Sequence, residues 1–105
     1  MDIKLNAKIT STAHHVPERV MTNFELEKLV DTSDEWIRTR TGISQRHIAA
    51  EHEASSDLST RVAEQLLKKR RISAEEIDII IVATVTPDHF APSTAALVQN
   101  NIGAS

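Results

Sequence analysis

Apolar and polar positions alternate loosely over residues 3–13, where Ile3, Leu5, Ala7, Ile9, Ser11 and Ala13 share one parity. A period of two predicts a first strand with one buried face, ended by Pro17. The pattern then turns helical. Thr22-Asn23-Phe24-Glu25 forms a capping box, in which the Thr22 hydroxyl accepts from the Glu25 amide and the Glu25 carboxylate accepts from the Thr22 amide. Met21 and Leu26 take the staple positions around it, and Leu26, Leu29 and Val30 are the expected buried stripe of a short helix. A second box, Thr32-Ser33-Asp34-Glu35, opens another short helix through Trp36 and Ile37 towards Gly42.

Beyond Gly42, residues 43–49 predict a brief strand or extended stretch, and the polar residues 51–56 a loop. Residues 57–70 carry the clearest helical period. Leu58, Val62, Ala63, Leu66 and Leu67 line one face, while Arg61, Glu64 and Lys68 lie away from it. Ser73-Ala74-Glu75-Glu76 is a third capping box, followed by the nearly unbroken β-branched run 77–84, the pattern of a strand covered on both faces. Thr86-Pro87-Asp88 turns the chain, Pro92 is placed as the first residue of a last helix, and Gly103 as its cap. Strands alternating with helices predict an α/β fold with a mixed, largely parallel sheet.

Composition narrows the function. At 105 residues the chain is one small domain or part of one, and 12 Lys+Arg against 15 Asp+Glu leave a net charge of −3, no electrostatic footprint for nucleic acid. No apolar run approaches the roughly 18 residues of a membrane-spanning helix, and the start lacks a signal-peptide pattern, so a cytoplasmic location with no membrane partner is expected. The absence of cysteine excludes disulfides, thiolate metal sites and a cysteine nucleophile within these residues. Five histidines are present, but no His-x-x-x-His spacing occurs, so no metal site is expected. Lys68-Lys69-Arg70-Arg71 reads as a solvated helix end favoured by the helix dipole. Asp34-Glu35 reads as first-turn acids rather than as a general acid and base.

Trp36 is the one tryptophan, and helical spacing puts it one turn from Arg40 on the same face. An indole beside a guanidinium suits an adenine ring and a phosphate, although spacing alone favours a structural tryptophan beside a solvent-facing arginine.

The wider context changes that balance. The string 30–37 (Val-Asp-Thr-Ser-Asp-Glu-Trp-Ile), then Thr39-Arg40-Thr41-Gly42-Ile43 and Arg46-His47-Ile48-Ala49, closely resembles the amino-terminal signature of β-ketoacyl-acyl-carrier-protein synthase III. Pro17-Glu18, Thr22-Asn23 and Leu26-Glu27 match before it, and residues 80–84, Pro92-Ser93 and Gln99 after it. The resemblance implies part of a thiolase-like layered α/β sandwich, with residues 1–105 a single partial domain. It also implies that Trp36 stacks on the adenine of coenzyme A, with Arg40 and Thr32 beside the nucleotide. Thr32 reads equally as only an N-cap.

The family's Cys-His-Asn set moves an acyl group from acyl-CoA and decarboxylates malonyl-acyl carrier protein. None of the three has a counterpart here, and the family's cysteine falls shortly beyond the helix ending at Gly103, so the chain alone is expected to be inactive. His14, His15, His47, His52 and Asn100 are not at the matching positions. Ala91, preceded by Phe90, stands where many members have Phe before Pro-Ser in the acyl pocket, often the partner subunit's. The smaller side chain implies a primer longer or more branched than acetyl. The resemblance thus implies a homo-oligomeric acyltransferase that starts fatty acid synthesis, with coenzyme A thioester as substrate, no resident cofactor, and acyl carrier protein as partner of the full enzyme. Two alternatives stay open: a related condensing enzyme of polyketide or specialised acyl metabolism, and a non-catalytic binding or interaction module.

Overall fold

In a computed structural model, the structure describes residues 6–105. Two compact units emerge, one formed by residues 16–54 and the other by residues 1–15 and 55–105. In the first, strand β1 (Arg19–Thr22) pairs antiparallel with β2 (Gln45–Ile48), in a register that sets Val20 opposite His47. Between them lie the single-turn helix α1 (Asn23–Leu26) and the helix α2 (Asp34–Thr41).

The capping box at Thr22 forms as the sequence predicts. Glu25 N donates to Thr22 Oγ1 at 3.2 Å and Thr22 N to Glu25 Oε2 at 2.8 Å. The Thr22 amide, and then the Thr22 hydroxyl, which donates to Glu25 Oε2 at 3.1 Å, hold the Glu25 carboxyl below its ordinary value. The expected stripe does not form, because α1 is only four residues long: Leu26 is half-buried, whereas Leu29 and Val30 are exposed. Four residues give too little helix to present a face.

In the second unit, α3 (Ser55–Arg70) starts two residues earlier than predicted, and Leu58, Val62, Ala63, Leu66 and Leu67 are half-buried on it. A 3-10 turn (Ala74–Glu76) follows, in which Ser73 N donates to Glu76 Oε2 at 2.8 Å. The last helix, α4 (Thr94–Ile102), packs on α3. Its cap is Ser93, so Pro92 precedes the helix rather than opening it, while Gly103 closes it at φ 73° as predicted. Val98 is buried between these helices and the run 80–83, and Asn101 Nδ2 donates to Thr60 Oγ1 at 3.0 Å.

Two predicted strands do not appear. Residues 6–13 and 77–84 have no ladder partner among the described residues, and a strand exists only where its backbone groups pair. Ile3 and Leu5, assigned to the first of them, lie outside the described residues. The run 77–84 is covered on one face only: Ile80 and Val82 turn inward, while Ile79 and Ile81 are 77% and 86% exposed.

Helix α3 ends in a tight turn, with Ile72 N donating to Leu67 O at 3.2 Å and Arg71 at φ 55°. A side chain in this left-handed region costs about 1 kcal/mol that glycine avoids. Arg71→Gly is therefore expected to stabilise the fold slightly, by up to about 0.5 kcal/mol after the added freedom of the unfolded chain is offset, read as a small rise in melting temperature. A fall in melting temperature would contradict the strain.

Candidate functional site

Helix α2 is built by short-range caps. Ser33 is extended at φ −142° and its Oγ accepts from Trp36 N at 3.1 Å, so the cap lies one residue beyond the Thr32 that the sequence suggests. The shift follows from how Asp34 is held. Its amide donates to Glu27 Oε1 at 2.5 Å and its Oδ1 accepts from Asn23 Nδ2 at 2.8 Å, which makes Asp34 the first helical residue. Thr32 is thereby released from capping; its hydroxyl makes no hydrogen bond among the described residues. At the other end Gly42, at φ 72°, donates to Arg38 O at 2.8 Å.

The helix sorts its polar groups. Thr39 Oγ1 donates to Glu35 O at 2.5 Å and Thr41 Oγ1 to Ile37 O at 2.7 Å, so both hydroxyls are spent on the preceding turn. Arg38 pairs with Asp34 at 3.7 Å. Ile37 is buried and anchors the inner side. On the outer side the Arg40 guanidinium lies 5.0 Å from the centroid of the Trp36 ring, within cation–π range, and Trp36 remains 55% exposed. Arg40 has no ion pair among the described residues.

Trp36 borders two open depressions. One is lined also by Ser33, Glu35, Thr39 and Arg40, the other by Asp31, Thr32 and Ser33. The structure thus puts Arg40 beside Trp36, as helical spacing predicts, with Thr32 in a second depression that Trp36 also borders.

Phe90 and Ala91 belong to the other unit, where they follow the 84–88 turn and are both exposed. That turn is fastened to the start of α3. Ser55 Oγ donates to Thr86 O at 2.6 Å, while Ser56 N and Oγ donate to the two oxygens of Asp88 at 2.9 and 2.5 Å. The hydroxyl of Ser56, then its amide, hold the Asp88 carboxyl below its ordinary value of 3.8, against a smaller opposing effect of desolvation. Sequence reading took Asp88 for a turn residue, because its partner lies 32 positions away. Asn23 was missed for the same reason. No group of three or more His, Cys, Asp or Glu among the described residues is arranged to hold a metal ion, and no helix among them is long and apolar enough to cross a membrane.

Comparison with known proteins gives the class first. The fold is that of part of a thiolase-like α/β sandwich. Within that class the chain is related to β-ketoacyl-[acyl-carrier-protein] synthase III: it is 62% identical over 98 residues to that enzyme of Streptococcus gordonii, a match covering 93% of this chain and 30% of the relative. The crystal structure of 3-oxoacyl-[acyl-carrier-protein] synthase III from Aquifex aeolicus superposes with a TM-score of 0.81 at 51% identity, over 88% of this chain and 30% of that one. The Thermus thermophilus enzyme gives a TM-score of 0.82 at 50% identity, over 94% of this chain and 32% of its own. No protein-family model matches. The chain therefore spans about 30% of the length of the relatives it matches.

The Asp88 clasp has a signature in acid. A carboxyl whose folded pKa is depressed binds its proton later in the folded than in the unfolded chain, so its stabilisation is complete well above 3.8 and is lost as pH falls through the lower folded value. Melting temperature measured from pH 6 to pH 2 is expected to fall less steeply below about pH 4 in Asp88→Asn than in the parent chain. Parallel acid limbs would show that the carboxylate is not held.

Proposed function

We propose that this chain supplies the nucleotide-binding part of a 3-oxoacyl-[acyl-carrier-protein] synthase III, a cytoplasmic acyltransferase that condenses acyl-CoA with malonyl-acyl carrier protein to begin fatty acid synthesis. The observation that carries this reading is the exposed Trp36–Arg40 pair, 5.0 Å apart on a helix whose other polar side chains are largely engaged. Adenine is flat and polarisable and stacks on an indole; phosphate takes paired N–H donors from a guanidinium. The base enters the depression shared by Trp36 and Thr32, where the uncommitted Thr32 hydroxyl is available to it, and a phosphate sits against Arg40.

The contribution is binding rather than bond making. With no cysteine, these residues hold no thiol to receive an acyl group, so coenzyme A is held here as substrate and the transfer belongs to residues outside this chain. Ala91 and Phe90 form part of the acyl pocket, and the small Ala91 side chain leaves room for a primer bulkier than acetyl. The exposed Ile79, Ile81 and Val85 are apolar surface that the rest of such an enzyme would cover, and the reading takes that enzyme as a homo-oligomer. Acyl carrier protein is the second substrate carrier.

Isothermal titration with coenzyme A tests the platform in the intact polypeptide. Trp36→Ala and Arg40→Ala should each weaken binding by roughly ten-fold or more, from the loss of a stacking partner or of a charge-assisted bond. Unaltered affinity in Trp36→Ala would defeat the assignment. For the acyl pocket, Ala91→Phe is expected to shift primer preference towards acetyl-CoA in a competition assay. A parent enzyme strictly specific for acetyl-CoA, unchanged by Ala91→Phe, would refute the pocket assignment.

A further inference from the structure

The side chain of Asn23 is fully buried. Its Nδ2 donates both hydrogens, to Asp34 Oδ1 and to Ile43 O, each at 2.8 Å, and its Oδ1 accepts from Arg46 Nη2 at 2.7 Å. Its backbone amide donates to Ser44 O at 3.1 Å. One nitrogen thus grips the first residue of α2 and the residue that follows its Gly42 cap, so a single carboxamide fixes both ends of the helix.

Few other contacts set the orientation of that helix. Ile37 is its one buried apolar side chain, and one anchor leaves rotation about the axis weakly determined. At about 100° per residue, Asp34 lies about 160° round from Trp36 and about 120° from Arg40, so Asn23 holds a side of the helix away from the exposed pair. A rotation of α2 would move the indole and the guanidinium together and turn the indole from the Thr32 depression.

We propose that Asn23, acting through Asp34, is a positioning residue that sets the angular placement of the Trp36–Arg40 pair for coenzyme A. This rests on the reading of that pair as the nucleotide platform. Asn23 touches no ligand itself; its two donors make the helix rigid before the ligand arrives, and pre-organisation of this kind appears in affinity.

The tether is better cut at Asp34 than at Asn23, whose loss also removes the bonds to Arg46 and to the Ile43 carbonyl. In the intact polypeptide, coenzyme A affinity is measured by calorimetry well below the melting temperature. Asp34→Ala should raise Kd roughly ten-fold, the worth of a hydrogen bond to a charged group. Asp34→Asn keeps an acceptor oxygen for Asn23 Nδ2 and should restore Kd to within about three-fold of the parent, and Arg38→Ala, which removes only the pair with Asp34, should leave it unchanged. A merely structural loss would lower the melting temperature without this ordering of Kd values. Wild-type affinity in Asp34→Ala alongside weakened binding in Trp36→Ala overturns the positioning role and leaves the platform standing. Equal weakening in Asp34→Ala and Asp34→Asn also overturns it, because charge rather than the tether would then matter. Wild-type affinity in Trp36→Ala removes the platform itself, and the positioning role with it.

Discussion

A buried carboxamide is tolerated only when its donors and acceptor are answered, and the Asn23 side chain meets that condition with three hydrogen bonds of 2.7–2.8 Å. The 16–54 unit depends on it. Ile37 and Pro17 are the apolar residues buried there among the described residues, so little of the order can come from apolar burial. One amide instead joins the end of β1, the start of α2, the turn after Gly42 and the strand β2. Taking it away would remove a partner from an arginine, a carboxylate and a carbonyl at once, which costs more than the net worth of the bonds themselves.

The second unit rests on the opposite balance. Its α3 face and Val98 cover one side of the run 80–83, and the attraction is apolar and non-directional. Direction comes from the Ser55–Thr86 and Ser56–Asp88 bonds, which close the 84–88 turn over the start of α3. Asp88 also places a negative charge where the helix dipole welcomes one, so fixing the turn and capping the helix are one contact. The turn leads directly to Phe90 and Ala91, and their placement is inherited from it.

Rules that act within four residues were legible in the sequence. The box at Thr22, the amphipathic period of α3, the i,i+4 meeting of Trp36 and Arg40 and the left-handed glycines at 42 and 103 all formed as expected. Long-range commitments were not. Thr32 and Ser33 are equally good caps by type, and only the hold of Glu27 and Asn23 on Asp34 selects Ser33. The β-branched run 77–84 has the composition of a strand, but a strand is a relation between two segments, and composition describes one. The site was half legible: spacing gave the indole and guanidinium, while the ligand came from resemblance across a string too long to arise from capping needs alone.

The sorting of polar groups on α2 fits the nucleotide platform proposed for it. Asp34 is held by Asn23 and Arg38, and Thr39 and Thr41 bond back to the helix, so none of these competes for a ligand. The charges that remain beside Trp36 are Glu35 and Arg40, both lining one depression. Glu35 sits in the first turn and Arg40 in the last, each at the end where the helix dipole favours its sign. The separation matters because an anionic ligand must meet the cation without approaching the carboxylate. A phosphate at the Arg40 end satisfies that, and a base stacked on the indole towards Thr32 extends the ligand past Glu35 with its uncharged part. The same arrangement would repel a ligand that carried its charge at the other end, so on the proposed platform reading the helix would select the orientation of the nucleotide as well.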